Sequence, residues 1–242
     1  MKPIQVGLTI PQGWLDEFPG NNAYDQFLFS KSVALKAEQL GYDAGYVYDH
    51  FIPYYGDKRT LPFFEAYTLL SAIAAITTKL RVGQVVTCNS YRLPSLLAKM
   101  SSTLDAISNG RLEFGIGAGW FEHEYNSYGY QFDSASARIE QLDESLIIIK
   151  KMWQKEKSSF KGKHYSIKNA ICSPKPIQHT THYFYPILIL QESHRSVLPF
   201  HKFQDLHLKQ ERLSFQIQQV QCIDVLFLLP ESWRICRHPY PR

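Results

Sequence analysis

The clearest chemical signal in the sequence is a histidine that follows an aspartate at the end of an apolar stretch. Asp49 and His50 stand in the segment Tyr48-Asp-His-Phe51, directly after residues 42–48, whose pattern predicts a buried strand. An imidazole exchanges protons near neutral pH, and a neighbouring carboxylate can fix its orientation. We therefore predict His50 as a proton donor or acceptor, with Asp49 as its orienting partner. A histidine that only caps the strand and bonds to the backbone is the alternative.

A second chemical signal is a run of alternating glycines. Gly115, Gly117 and Gly119 lead directly into Trp120. A glycine has no Cβ, so its backbone can approach a flat ring or a phosphate closely. Tight packing between strands selects glycine as well, and the pattern by itself leaves both explanations open.

Other catalytic chemistries lack a local motif. The sequence contains no Gly-x-Ser-x-Gly elbow, no phosphate loop ending in Gly-Lys, no His-Glu-x-x-His and no Cys-x-x-Cys. The four cysteines, at positions 88, 172, 222 and 236, have neither disulfide-like nor zinc-like spacing, so reduced thiols are expected. We predict no metal site.

Charge and hydropathy restrict the partners. The formal net charge is +4, too small for a basic field that would bind nucleic acid or an anionic membrane. The first residues lack the apolar core of a signal peptide, and no stretch approaches the roughly 18 apolar residues that span a bilayer. We expect a cytoplasmic protein whose partner is a small-molecule substrate.

Repeated strand–loop–helix units must position these side chains. Strands are predicted to start near residues 5, 43, 81 and 111, each followed by a helical stripe of apolar residues, the last of them from about Ser136 to Trp153. In such folds catalytic groups lie on the loops at the carboxyl ends of the strands. The four loops are Thr9-Ile-Pro-Gln-Gly13, Tyr48-Asp-His-Phe51, Val86-Thr-Cys-Asn-Ser90 and Gly115-Ile-Gly-Ala-Gly-Trp120.

Two α/β architectures fit this repeat, a TIM-type (β/α) barrel and an open doubly wound sheet. The doubly wound dinucleotide-binding fold needs its glycine fingerprint after the first strand, whereas here the glycines follow the fourth. We therefore predict a TIM-type barrel.

Several segments together resemble the luciferase-like monooxygenase superfamily, and within it the branch that uses the deazaflavin coenzyme F420. The resemblance covers about residues 1–178. It rests on Val6-Gly-Leu-Thr-Ile-Pro-Gln-Gly13, Tyr48-Asp-His-Phe51, Val82-Gly-Gln-Val-Val-Thr-Cys-Asn89, Leu97-Leu-Ala-Lys-Met100, Gly110-Arg-Leu-Glu-Phe-Gly-Ile-Gly-Ala-Gly-Trp120 and Glu122-His-Glu-Tyr125.

The resemblance implies an oxidoreductase or monooxygenase with a TIM-type barrel. F420, or alternatively FMN, would lie across the carboxyl ends of the strands and carry out hydride transfer or oxygen activation on a small organic substrate. His50 would face the ring, with Asp49 beside it. The implied cofactor contacts are Val85, Val86, Thr87, Asn89, Gly117, Gly119, Trp120 and His123.

Two details of the resemblance can be checked directly. The third loop resembles the family's bulge behind the ring, which implies a non-proline cis peptide bond between Val85 and Val86. Trp120 stands where some F420-using relatives have an acidic proton donor, and His123 and Glu124 are candidates to replace it. Solvated charge pairs are expected for Arg138, Glu140 and Asp143 on the following helix.

The composition changes near residue 178. All 13 glycines precede residue 179, whereas six of the nine histidines follow residue 178. A second half-barrel would need glycine in its loops, so we predict a partial barrel over 1–178 and an atypical tail over 179–242, which we interpret as an out-of-frame or otherwise replaced C-terminus. A strand over Tyr183–Leu190 and a poorly patterned helix over Phe200–Val220 are compatible with the tail. A metal site formed by His179, His182, His194 and His201 is not predicted, because no carboxylates support it.

A truncated barrel would expose two strand edges, and such edges favour pairing between copies of a chain. A homo-oligomer is therefore expected. The alternative to an enzyme is a catalytically inactive remnant, or a binding module for cofactor or substrate, that keeps the ring-facing loops.

Overall fold

A computed structural model describes residues 5–20, 22–53, 61–178 and the backbone of 183–184. Within these residues a mostly parallel sheet alternates with helices. The strands are β1 (Gly7–Thr9), β2 (Ala44–Val47), β3 (Arg81–Gln84), β4 (Thr87–Cys88), β5 (Leu112–Gly117), β6 (Ser158–Lys161), β7 (Ser166–Ala170) and β8 (Tyr183–Phe184). The helices are α1 (Ala23–Gln39), α2 (Ala66–Ile76), α3 (Pro94–Ile107), α4 (Glu122–Ser127) and α5 (Ala135–Gln154), with a 3₁₀ turn at Asn89–Tyr91.

The strand order decides between the two predicted architectures. The main sheet runs β1-β2-β3-β5, all parallel, and the short β4, which follows β3 in the chain, also pairs with β5, so each barrel strand neighbours the next one along the chain. A doubly wound sheet places a later strand on the other side of its first strand, so that β1 lies inside the sheet, whereas here β1 lies at the end of the strand order. The order is that of a (β/α) barrel, as predicted.

The helices pack against one face of the sheet, and the side chains of β5 alternate between that face and the other. Leu112, Phe114 and Ile116 join the main hydrophobic core with residues of α2, α3 and α5, whereas Glu113 and Gly115 lie on the other face.

The helix starts are fixed by local residues. The side chain of Glu65 accepts hydrogen bonds from two backbone N–H groups of α2, Pro94 begins α3 and Ser134 caps α5.

Three features differ from the sequence prediction. The third barrel strand is split into β3 and β4. The Val85–Val86 peptide bond between them is in the cis form, and this part of the prediction is confirmed. The short helix α4 was not anticipated. The same holds for the antiparallel hairpin β6–β7, whose side chains are mostly exposed or half-buried and have no strong apolar pattern.

The chain returns to the sheet through a buried carboxylate on α3. Asp105 accepts hydrogen bonds from the backbone N–H of Ile177 at 2.6 Å and of Gln178 at 3.2 Å. The Gln178 amide also donates to Asp105 and to the Leu112 carbonyl, so this segment is fixed beside the start of β5. The backbone at Tyr183–Phe184 then pairs in parallel with Phe114 and Gly115, as the predicted fifth strand requires at these two residues.

The remaining predictions for the tail lie outside the described residues. They concern residues 185–190 of the fifth strand, the helix over Phe200–Val220 and the histidines 179, 182, 194 and 201. In the part of the chain that the structure describes, no helix is both long and apolar enough to cross a membrane.

Candidate active site

A cleft at the carboxyl ends of β2, β4 and β5 brings most of the predicted site residues together. Residues of α5 close one of its sides. Eight of the ten predicted site residues line it, namely Asp49, His50, Val85, Val86, Thr87, Gly117, Gly119 and Trp120.

His50 is bound to a carboxylate, but not to the one predicted. Its Nδ1 atom lies 2.8 Å from Oε2 of Glu124, a side chain that is fully buried on α4. The two residues are 74 positions apart in the chain. The His50 side chain is 13% exposed, so it is held firmly yet still reaches the cleft.

Glu124 is satisfied by hydrogen-bond donors on both oxygens. Oε1 accepts the backbone N–H of Phe51 at 2.7 Å and that of Ile52 at 3.2 Å, while Oε2 also accepts the Tyr91 hydroxyl. Burial alone would raise the pKa of Glu124, but the hydrogen bonds and the charge of His50 outweigh burial and lower that pKa. Glu124 is therefore a carboxylate at neutral pH.

The prediction that Asp49 orients His50 is wrong in its geometry. Both Asp49 oxygens bind Arg92, at 2.7 and 2.8 Å, and one of them also accepts the backbone N–H of Cys88 at 2.7 Å. A bidentate guanidinium is the preferred partner of a buried carboxylate, so Asp49 ties β2 to the turn after β4. The orienting role falls to Glu124.

Aromatic rings surround the imidazole. The ring of Trp14, from the first loop, stacks on His50 with centroids 4.4 Å apart and planes at 28°. Trp120 and Phe121 approach edge-on at 5.7 and 5.9 Å. These contacts fix the plane of His50 and shield it from bulk water.

Glycine residues form the wall of the cleft next to β5, so backbone and not side chains faces the cleft there. Gly119 has φ +81°, and a Cβ there would lie 1.8 Å from the Tyr125 hydroxyl and 2.9 Å from Cys88 Sγ. A Cβ on Gly115 would lie 3.1 Å from the Val86 side chain, next to the cis peptide bond. Side chains of the protein itself thus fill part of the space beside these glycines that was predicted for a ring or a phosphate.

Two predicted cofactor contacts do not line the cleft. Asn89, the first residue of the 3₁₀ turn, is 1% exposed, and its side chain lies beside the Tyr165 hydroxyl. His123 is exposed on α4, because the helix turns Phe121, Glu124 and Tyr125 inward and leaves position 123 on the outer side.

Arg138 was expected in a solvated charge pair but lines the cleft. Its guanidinium stacks on Phe132 at 4.0 Å and donates to the Asp133 carbonyl, and no carboxylate of the described residues forms an ion pair with it. One signal for this placement was available. Arg138 precedes the buried Leu142 by four residues, so the two share one face of α5.

Comparison with known proteins shows the family of this chain. The family model described as luciferase-like monooxygenase matches residues 18–197. The chain belongs to the luciferase-like monooxygenase family. The match confirms the resemblance and also runs past residue 178, where the composition changes.

Individual relatives add detail. The pyrimidine monooxygenase RutA of Variovorax paradoxus is 32% identical over 184 residues, which are 72% of this chain and 48% of RutA. The chain thus spans about half the length of the curated relatives that it matches.

Two solved luciferase-like structures have the same fold. An F420-dependent secondary alcohol dehydrogenase in complex with an F420–acetone adduct has a TM-score of 0.62 at 23% identity, over 73% of this chain and 50% of its own. A type II Baeyer–Villiger monooxygenase of Pseudomonas putida in complex with FMN has a TM-score of 0.56 at 24% identity, over 68% of this chain and 43% of its own. The fold is thus the first part of a TIM-type barrel, and the family includes F420- and FMN-dependent oxidoreductases and monooxygenases.

Proposed function

We propose that this chain binds the ring of F420, or alternatively of FMN, in the cleft beside Val85–Val86, and that His50 exchanges a proton with a small organic substrate there. The observation that carries the proposal is the His50–Glu124 pair at the mouth of the barrel strands. The substrate-binding and cofactor-binding roles of the cleft residues are part of the proposal.

The residues present fit a flat ring with an anionic tail. The wall contributed by Gly117 and Gly119 exposes backbone rather than side chains, and Val86 offers an apolar surface. Arg138 lines the same cleft without an ion-pair partner among the described residues, so its guanidinium is available for a phosphate or carboxylate of the ligand. We therefore assign the ring to the first set of residues and its anionic group to Arg138.

Glu124 fixes which nitrogen of His50 does the chemistry. An ionised carboxylate only accepts hydrogen bonds, so Nδ1 of His50 must carry a proton to bind it. In the neutral ring, Nε2 is then the unprotonated atom and can take a proton from the substrate. In the cationic ring the same atom can donate one, because Glu124 stabilises the imidazolium.

The cofactor, when bound, supplies hydride transfer or oxygen activation. The protein's own contribution is to hold the substrate's acidic or basic atom near Nε2 of His50 and to exclude water. Trp14, Trp120 and Phe121 serve the second purpose because they cover the imidazole on several sides. Water exclusion strengthens the attraction between the imidazolium and Glu124.

A binding module without turnover is the second candidate function. The cleft is formed by residues 49–139, and a binding role needs only these ring-facing segments. Binding without turnover by the unaltered chain would select this candidate.

The test compares His50→Gln with His123→Gln, which alters an exposed histidine on the same rim. Binding of F420 and FMN is followed by fluorescence, and turnover by oxidation or reduction of the bound cofactor with a panel of small alcohols, ketones and amides. We expect the first substitution to reduce turnover by about 10² to 10⁴-fold with little change in cofactor affinity. The second should change neither. Equal turnover in both variants would remove His50 from the mechanism, and no binding of either cofactor would end the proposal for this chain.

A further inference from the structure

Tyr91 is a second proton-bearing group on the carboxylate oxygen that holds His50. Its hydroxyl donates to Oε2 of Glu124, the same atom that lies 2.8 Å from His50 Nδ1. The proposed function assigns Tyr91 no role, although the residue also lines the cleft.

The aromatic surroundings hold Tyr91 in place. It belongs to the 3₁₀ turn after β4 and is 5% exposed. Its ring contacts Phe51 at 4.6 Å, Tyr125 at 5.0 Å and Tyr130 at 5.0 Å between centroids. The phenol therefore has a fixed position, and its hydroxyl reaches the carboxylate without moving.

Two donors on one oxygen compete for the same negative charge. The Tyr91 hydroxyl withdraws electron density from Oε2, which helps to lower the pKa of Glu124 and weakens the pull of this carboxylate on the His50 proton. We propose that Tyr91 is a positioning residue that sets the proton affinity of His50 through the shared oxygen of Glu124. Without Tyr91, His50 would hold its proton more tightly and give it up less readily near neutral pH.

The neighbouring ionisable groups keep one charge state in the pH range where an imidazole titrates. Burial raises the pKa of Cys88 to about 12, and burial likewise raises the pKa of Tyr91 and of Tyr125. Although burial alone would lower it, the bidentate contact with Asp49 raises the pKa of Arg92, so this guanidinium stays charged. Arg138, on the α5 side of the cleft, keeps its charge as a guanidinium.

The test measures His50 directly and needs no cofactor. Ring nitrogens of histidine are labelled with ¹⁵N, the His50 signal is assigned by its loss in His50→Gln, and its titration is followed by NMR in Tyr91→Phe and in the unaltered chain. We expect the titration midpoint to rise by about half a unit to one unit, with Nδ1 still protonated in the neutral ring. The matched control is Tyr125→Phe, which removes another buried hydroxyl of the same cluster, bonded to Cys88 Sγ at 3.0 Å and not to Glu124. It should leave the midpoint unchanged.

A second variant avoids the loss of the hydroxyl. Incorporation of 3-fluorotyrosine at position 91 makes the phenol a stronger donor while it stays protonated in the range where an imidazole titrates, so the midpoint should fall. Opposite shifts in the two variants support the inference, whereas no shift in either, or the same shift in Tyr125→Phe, would overturn it.

The catalytic meaning of Tyr91 rests on the proposed function, and the two can fail separately. With turnover, Tyr91→Phe should move the pH profile to higher pH by the amount seen in NMR while KM stays the same. A moved midpoint in a chain without turnover sinks the proposed function and keeps the link between Tyr91 and His50. Turnover with an unmoved midpoint sinks the link alone.

Discussion

Replacing Arg92 by methionine tests whether the pair with Asp49 holds the site together. Methionine keeps much of the apolar stem of Arg92 but removes the guanidinium, whose carbon lies 4.8 Å from the centroid of the Tyr67 ring. The Arg92 side chain is 7% exposed and that of Asp49 is 1% exposed, and two hydrogen bonds of 2.7 and 2.8 Å join them.

The expected cost follows from the charge that remains. Without Arg92, the Asp49 carboxylate keeps the Cys88 N–H as its hydrogen-bond donor among the described residues. Breaking a buried ion pair by removing one partner costs about 3 to 5 kcal/mol. The double variant Asp49→Asn/Arg92→Met removes the unpaired charge at position 49, so it should recover part of this loss, while the contact of Arg92 with Glu65 is lost in both variants.

The free energy of unfolding is measured by urea denaturation. At a slope of about 2 kcal/mol per molar, a loss of about 4 kcal/mol lowers the midpoint by about 2 M. The control is Lys163→Met, which breaks the ion pair with Glu140 between side chains that are 72% and 45% exposed and should leave the midpoint nearly unchanged. Equal midpoints for Arg92→Met and Lys163→Met would refute the reasoning, as would a double variant less stable than Arg92→Met.

Two further predictions concern the same region. The pKa of Glu124 is lower in the folded protein than its ordinary value of 4.5, so the stabilisation it provides is complete above pH 4.5 and is lost as the pH falls through the folded value. Thermal melts from pH 7 to pH 3 should show this loss in the unaltered chain, and a Glu124→Gln variant whose melting temperature fell just as steeply with acidity would contradict it. Gly119→Ala should cost at least about 3 kcal/mol, because its Cβ would overlap the Tyr125 hydroxyl at a positive φ. Gly129→Ala, with φ +76° and nothing within 4 Å, should cost only about 1 to 2 kcal/mol, and similar losses in the two variants would show that the overlap is relieved.

The regular elements were predictable because their apolar periodicity is strong. The stripe ending at Trp153 predicts a helix from about Ser136, and α5 runs over Ala135–Gln154. The glycine-rich strand, the loop with His50 and the cis bond at Val85–Val86 also lie where the sequence and its resemblance place them. Each of these features depends on neighbours in the chain or on a long motif.

The pairings between side chains were harder to predict, because they depend on contacts across the fold. Asp49 adjoins His50 in the chain, yet successive residues of an extended segment point in opposite directions, so its carboxylate faces Arg92 instead. In the sequence, Glu124 and His123 are equivalent candidates for the missing proton donor. The helical phase of α4 turns Glu124 inward and leaves His123 exposed. The β6–β7 hairpin lacks the apolar alternation that announces a strand.

The anchoring of Ile177 and Gln178 by Asp105 has a consequence for how the next strand is added to the sheet. Residues 177 and 178 are held at the amino end of β5 by the Asp105 carboxylate and the Leu112 carbonyl, ahead of Tyr183–Phe184 in the chain, which pair with that strand. The pairing of Tyr183–Phe184 with β5 is made by the backbone, so the anchored chain needs only to adopt an extended conformation there. This anchor reduces what the sequence of the next strand must supply, which matters in a chain whose composition changes abruptly at that junction.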